Sequence, residues 1–466
     1  MRRLELALMF VAAFAVFWPV VFGVRPRRGI VALTLTAALF AQLQLEGFRW
    51  QMIPLYVAVV GLAIGDVLFL ERRFDWPGRI IRLLLGAAGL VVVSAVAVVL
   101  PVPEIPMPAG PELIGTITVE LRDRDRAEVF GEPAVRPREF MAQVWYPATS
   151  SDQATRVPWT ENPEVVIPAV SEQLGFPSWF WNQTRFSLSH ASASPPVAEG
   201  TFPVVLYSHD WGGVRANALT QVEHLVSNGY IVIGLDHTSV AAATVLEDGG
   251  VVNQDPEAIP DPATAAAEDF VEAATDVVAT MAGDLVRVMA ALEEGEGGPF
   301  GAIVAAADLN RLGVYGHGAG GGAAIKVCLE DERCHAVLAM DPWIRPLTQR
   351  DLQQDMMKPA LYLRSQEWVG TSDDALLAGI AARGDSITYM LGIEGATTTD
   401  FTMVPLMTPF AAQFGMKGEI PAGRVIPIID NYLLGFFDVF LLGTGPAQLD
   451  SVSFDEVDVS VFDARE

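Results

Sequence analysis

Four apolar runs open the chain, at residues 4–24, 29–45, 52–70 and 80–100, separated by short polar stretches. A helix crosses a bilayer with about 20 apolar residues, within a range of about 17–25. The pattern therefore predicts a four-helix transmembrane region over residues 1–100, the second run being the shortest. Trp18, Trp50 and Trp76 stand near run ends, where amphipathic rings favour the membrane–water interface. Pro101, Pro103, Pro106, Pro108 and Pro111 then break the pattern and predict an extended linker over 101–113. From 114 to 466 short apolar segments alternate with longer amphipathic ones. Residues 116–121 and 140–145 read as two early strands. Residues 203–207, 230–235, 312–315, 336–340, 360–363 and 387–391 read as short buried strands. Helices are predicted over 264–294, 319–329 and 426–442. Such alternation implies a mostly parallel sheet covered by helices on both faces. Residues 150–200, irregular and rich in Trp, Phe and Pro, read as a lid or rim over a site, or as a long surface excursion.

Charge sharpens this division. The 466 residues carry 30 basic and 56 acidic side chains, a formal net charge of −26, with 51% hydrophobic residues and a mean hydropathy of +0.34. Residues 1–100 hold ten Arg, no Lys and five acids; the remainder holds 20 basic and 51 acidic residues. The acidic balance excludes a nucleic-acid partner. The apolar content excludes general disorder. Two cysteines exclude a disulfide scaffold and a Cys-rich zinc module. Arg25, Arg27, Arg28, Arg72, Arg73, Arg79 and Arg82 fall on one side of the predicted spans, against Arg2, Arg3 and Arg49 on the other. The richer side is expected in the cytoplasm. The chain then reads as an integral membrane protein, the lipid bilayer its partner, with the acidic domain extracytoplasmic. Asp66 lies within the third run and is a functional candidate by position.

The most informative stretch is Leu312-Gly-Val-Tyr-Gly-His-Gly-Ala-Gly-Gly321, which passes from a predicted strand into a predicted helix. This is the setting of a G-x-S-x-G nucleophile elbow. Around it stand Tyr207-Ser-His-Asp-Trp-Gly-Gly213, Asn228-Gly-Tyr-Ile-Val-Ile-Gly-Leu-Asp-His237, Cys328-Leu-Glu-Asp-Glu-Arg-Cys334 followed by Ala339-Met-Asp341, and Gly395-Ala-Thr-Thr-Thr-Asp-Phe401. In this order the motifs resemble the platelet-activating factor acetylhydrolase family of α/β-hydrolases, with its bacterial lipase and polyester-hydrolase relatives, over residues 115–445. The leader, with Glu46-Gly-Phe-Arg-Trp-Gln51, resembles membrane-anchored bacterial members. The resemblance implies an α/β-hydrolase fold and a carboxylic ester hydrolase ancestry. It places a nucleophile at 318, a triad acid at 341, a base at 398, and oxyanion-hole donors on Trp211 and Ala319.

The residues at those positions depart from the pattern. Asp341 is present, but Gly318 replaces the serine and Thr398 replaces the histidine. His190, His209, His224, His237, His317 and His335 all precede Asp341, whereas the order in this fold is nucleophile, acid, histidine. A hydroxyl nucleophile is weak without an adjacent base. Asp210 stands where the family has glycine, and a carboxylate there opposes a developing oxyanion unless it points away.

Other groups are weaker candidates. Ser208 belongs to the turn it helps to hold. Asp210 is a conceivable carboxylate nucleophile but lies off the elbow. His209, Asp210, Asp236 and His237 show no recognised metal-ligand spacing, so no metal and no cofactor are expected; His237 and His317 read as braces for loops around the site. Cys328 and Cys334 suit a disulfide in an extracytoplasmic compartment. Asn182-Gln-Thr184 matches a glycosylation sequon, relevant only to a eukaryotic secretory route. The reading that follows is a membrane-anchored hydrolase-family protein without esterase activity, holding an acyl, lipid or peptide ligand, or a partner, in its retained pocket. Its rivals are a hydrolase using other groups and a structural membrane scaffold.

Overall fold

The computed structural model describes residues 1–22, 27, 29–68, 76–131, 136–151, 156–295, 298–445, 449 and 453–463. The chain divides into two compact units. One comprises Met1–Pro103 with Asn182–Phe186 and Met407–Phe410; the other comprises Glu104–Trp181, Ser187–Leu406 and Ala411–Glu466.

The first unit holds helices α1 (Arg3–Phe22), α2 (Ile30–Leu45), α3 (Ile53–Leu68, preceded by a 3-10 turn at Trp50–Met52) and α4 (Trp76–Val99). Two stretches, Arg3–Phe22 and Trp50–Leu68, are long and apolar enough to cross a membrane; Ile30–Leu45 and Leu83–Val99 are shorter apolar helices. The prediction of four spans is thus supported for two. Leu8, Ala12, Leu35, Leu55 and Val59 form a small core. Phe10, Leu33 and Val91 face outward with 67%, 70% and 70% of their surface exposed, so the unit is apolar outside as well as inside. Polar groups gather at the helix ends. Glu46 accepts from Leu4 N at 2.7 Å, and Arg49 pairs with Glu5 at 2.7 Å, both buried. The Glu46–Gln51 motif is therefore a clasp for the start of α1. Asp66 accepts from Gly29 N at 3.0 Å and Ala32 N at 3.2 Å. It satisfies the free N–H groups that begin α2, a structural role in place of the functional one considered above. Of the orienting arginines, Arg25, Arg28, Arg72 and Arg73 lie outside the described residues, as do the side chains of Arg79 and Arg82.

The second unit is built on strands β1 (Leu113–Ala127), β2 (Pro137–Ala148), β3 (Arg156–Pro158), β4 (Leu188–Ala193), β5 (Phe202–Ser208), β6 (Ile231–Asp236), β7 (Ala243–Val245), β8 (Val251–Asn253), β9 (Ala307–His317), β10 (Ala336–Met340), β11 (Ala360–Ser365), β12 (Thr388–Ile393) and β13 (Val457–Phe462). Between them lie α5 (Pro163–Gln173), α6 (Leu219–Ser227), α7 (Ala267–Glu294), α8 (Gly298–Ala306), α9 (Ala319–Glu330), α10 (Gln349–Gln353), α11 (Ser372–Arg383), α12 (Val404–Met407) and α13 (Ala422–Phe440). Among the described residues eleven strands form one sheet in the order β13-β12-β11-β10-β9-β5-β6-β2-β1-β4-β3. From β6 to β12 every neighbouring pair is parallel; β1, β2 and β13 pair antiparallel with their neighbours β2, β6 and β12.

Period-two burial explains the layers. On β5, Val204 and Leu206 join the core beneath α7 and α9, while Val205 and Tyr207 join the one beneath α6 and α13. The parallel strands are buried on both faces, which is why they read as unbroken apolar runs. Part of the proline-rich stretch packs on this unit: Ile105 is buried in the second core, and Gly110 N donates to Ser227 Oγ at 3.2 Å. Residues 150–200 supply β3, α5 and β4 and extend the sheet, with β4 parallel to β1.

Candidate active site

The elbow is a backbone device. Chain reversal between β9 and α9 puts Gly318 at φ 54°, ψ −119°, a conformation that favours glycine. A Cβ on Gly316 would stand 2.2 Å from the Gly320 carbonyl oxygen, so strand and helix meet only if that position is bare. Gly318 O accepts from Gly322 N at 3.0 Å and Trp343 N at 2.8 Å.

The donors named from the sequence converge on one point. Trp211 N and Ala319 N both donate, at 2.8 Å each, to Asp210 Oδ1. The two N–H groups that the resemblance assigns to an oxyanion hole thus converge, and the protein's own carboxylate occupies the point where they meet. A Cβ built on Gly318 would fall 2.0–2.6 Å from the carboxylate atoms of Asp210. The side chain sits where an elbow residue would project.

Asp341 and Thr398 are also brought to this place. Asp341, at the end of β10 with φ 41°, accepts from Ser365 N at 2.7 Å and Ser365 Oγ at 2.6 Å. Burial pushes its carboxyl up to about 7, against the Ser365 and Thr398 hydrogen bonds that pull it down. Thr398 Oγ1 lies 2.8 Å from His317 Nε2. The threonine hydroxyl thus links Asp341 to His317. Burial holds that imidazole below its ordinary range. The loop carrying Thr398 is anchored by Asp400, which accepts from Thr397 N at 2.9 Å and Gly418 N at 2.8 Å.

Behind the loop that carries Asp210 lies a buried network that sequence reasoning read only in part. His237 Nε2 is 2.8 Å from Ser208 Oγ, and His237 Nδ1 is 3.0 Å from Asp284 Oδ2. All three residues are buried. Contact order is that of a Ser-His-Asp triad, but no substrate reaches it. Burial would raise the Asp284 carboxyl, yet Arg138 at 2.7 Å and His237 hold it well below the carboxylate range. Asp284 and Arg138 were missed because nothing local marks them; they lie 146 residues apart. His209 Nδ1 donates to Asp210 O at 2.7 Å, and its Nε2 accepts from His237 N at 3.2 Å. Burial, with His237 beside it, pushes the His209 imidazole down to about 3. It is a neutral clamp on the Asp210 loop. Asp236 turns the other way, to Arg215 at 2.5 Å. No three His, Cys, Asp or Glu among the described residues gather as a metal site. Cys328 and Cys334 are bridged, with Cα atoms 5.2 Å apart.

A cleft of about 810 Å³ opens over Gly318. Trp211, Phe270, Trp343 and Trp368 line it, with Asp210 and Thr398 at its base. One rim comes from Pro256, Pro260 and Pro262, a segment the sequence did not single out; the described residues of 150–200 do not line it. A second groove of about 890 Å³ lies away from the elbow. Its Arg122, Arg126 and Lys326 are paired with Glu120, Asp284 and Asp351.

Strand order, elbow and oxyanion loop define an α/β-hydrolase. Residues 127–442 match the family described as platelet-activating factor acetylhydrolase, isoform II, and the chain belongs to that family. It is 20% identical over 321 residues to platelet-activating factor acetylhydrolase of Cavia porcellus, covering 64% of this chain and 72% of the relative. The Gallus gallus protein of the same name is 26% identical over 139 residues, 29% of this chain and 32% of its own. A ferulic acid esterase from Streptomyces cinnamoneus superposes with a TM-score of 0.63 at 25% identity, covering 77% of this chain and 99% of that one.

Proposed function

We propose that this protein is a membrane-anchored member of the family that has lost serine-hydrolase chemistry and uses its cleft to hold an acyl or lipid ligand. The observation that carries the reading is the Asp210 carboxylate in the oxyanion hole. Losing one such donor costs about 10²–10³ in kcat in a working enzyme. Here both donors are engaged, by a group that is itself acidic. Gly318 offers no nucleophile, and Thr398 offers no base.

An open, aromatic-walled cleft favours ligand binding over a purely structural scaffold. Anchoring is supported by the outward-facing apolar side chains of α1 to α4, the pattern of helices that are apolar all round. The arginine bias then puts the acidic unit outside the cytoplasm. The test is twofold. Short-chain p-nitrophenyl esters and a fluorophosphonate probe are expected to show neither turnover nor serine labelling in the purified protein. Titration with a fatty acid is expected to change the fluorescence of the cleft tryptophans saturably. Ordinary esterase turnover would overturn the loss of chemistry; an unchanged spectrum would overturn the ligand.

A further inference from the structure

Asp210 is remote from the elbow in sequence and on top of it in space. The two oxygens of its carboxylate have different surroundings. Oδ1 accepts both backbone N–H groups of the hole. Oδ2 accepts no hydrogen bond among the described residues, and the side chain lines the cleft. A hole that neutralises one oxygen while the other is bare orients a carboxylate as a nucleophile. The loop is rigidly held: His209 clamps the Asp210 carbonyl, and His237 and Asp284 brace it from behind. Gly318 is the complementary change, because any side chain there would collide with this carboxylate.

The occupied hole also selects the electrophile. Attack on an ester carbonyl puts charge on an oxygen that needs the two N–H donors, and Oδ1 holds both. Displacement at an sp³ carbon puts the charge on the leaving group instead. We propose that Asp210 Oδ2 attacks an sp³ carbon bearing a strained or good leaving group, an epoxide or alkyl halide on an apolar body, and retains it as an alkyl ester. With an epoxide, the Oδ2–C bond forms as the ring C–O bond breaks. The electron pair stays on the ring oxygen, which takes a proton from water in the open cleft and leaves a hydroxyl. With an alkyl halide, the pair departs with the halide. The aromatic walls take the apolar body. Release of the ester needs a base to activate water, and the base position holds Thr398. The inference rests here on the proposed loss of the serine-hydrolase pair, and capture is stoichiometric.

The experiment exposes the full-length, detergent-solubilised protein to phenyl glycidyl ether, followed by intact-mass and peptide mass spectrometry. One probe per chain is expected, mapped to Asp210 and saturating with probe concentration. Asp210→Asn keeps an oxygen for the two N–H donors, so its fold is expected to persist while labelling falls at least about tenfold. The unreactive diol, 3-phenoxy-1,2-propanediol, is expected to protect the wild type, a reading that needs no variant. No adduct at saturating probe, or labelling spread over other carboxylates and unaffected by the diol, would overturn the proposal. Such a failure would leave the ester assays of the preceding section unchanged, so the two readings are separable.

Discussion

At position 318 a side chain and the Asp210 carboxylate compete for one volume. The consequence reaches any attempt to rebuild the enzyme. Gly318→Ser with Thr398→His restores both halves of the missing pair, but the new Cβ would stand 2.0 Å from Asp210 Oδ1, and the hole would still be full. The double variant is expected to hydrolyse p-nitrophenyl acetate no faster than the wild type. Adding Asp210→Gly frees both donors and the space, and is expected to raise turnover by at least about 10² over the double variant. Equal rates in the two would show that the carboxylate is not the block. Asp341 permits a second test. Its carboxyl titrates near 7 in the folded chain, against an ordinary value of 3.8, because burial favours the neutral form. Its contribution to stability is complete below about pH 4 and is lost as pH rises through about 7, an effect on the order of 4 kcal/mol at most. Asp341→Asn keeps the group neutral throughout. Thermal unfolding of the solubilised protein is expected to show the difference between wild type and variant smallest below about pH 4, and the variant gaining on the wild type from there to about pH 7.

At the scale of elements, the hinge between α9 and β10 carries the disulfide. Cys328 closes the last turn of the helix and Cys334 stands just before the strand, separated by six residues. That turn precedes the strand that delivers Asp341. A loop this short adds about 2 kcal/mol through restriction of the unfolded chain. The Cys328→Ser/Cys334→Ser variant is expected to lower the urea midpoint accordingly, and dithiothreitol to bring the wild type to the same value. An unchanged midpoint would mean the bridge adds nothing to the fold. The first unit uses its own element-scale device. Glu46 and Asp66 accept the free N–H groups at the starts of α1 and α2, doing for apolar helices what serine and aspartate caps do in water-facing ones.

The whole molecule is an apolar, arginine-bearing unit joined to a strongly acidic one. With five acids against ten arginines in the first hundred residues and 51 acids in the rest, like charge on the second unit opposes association between copies. The arginine bias makes a definite expectation of sidedness. Protease added to right-side-out cells is expected to remove the second unit while leaving α1 to α4 behind. Full protection until the membrane is opened would reverse the orientation.

What the chain reveals before folding is what local pattern and side-chain identity control. Strands β5, β6, β9, β10, β11 and β12 were legible because burial on both faces leaves apolar runs. The elbow was legible because only glycine fits where β9 meets α9. That Gly318 and Thr398 lack a nucleophilic hydroxyl and an imidazole was legible from residue identity alone. β3 and β13 were not legible, since short edge strands owe their state to the neighbour they pair with. The role of Asp66 was not legible either, because a cap depends on which helix start lies opposite. Asp210 is the sharpest case. Its sequence position warned of conflict with an oxyanion, but only the crossing of its loop over the N-terminus of α9, joining residues 109 apart, turned that carboxylate into the hole. Direction in space is set by long-range packing, and no local pattern encodes it.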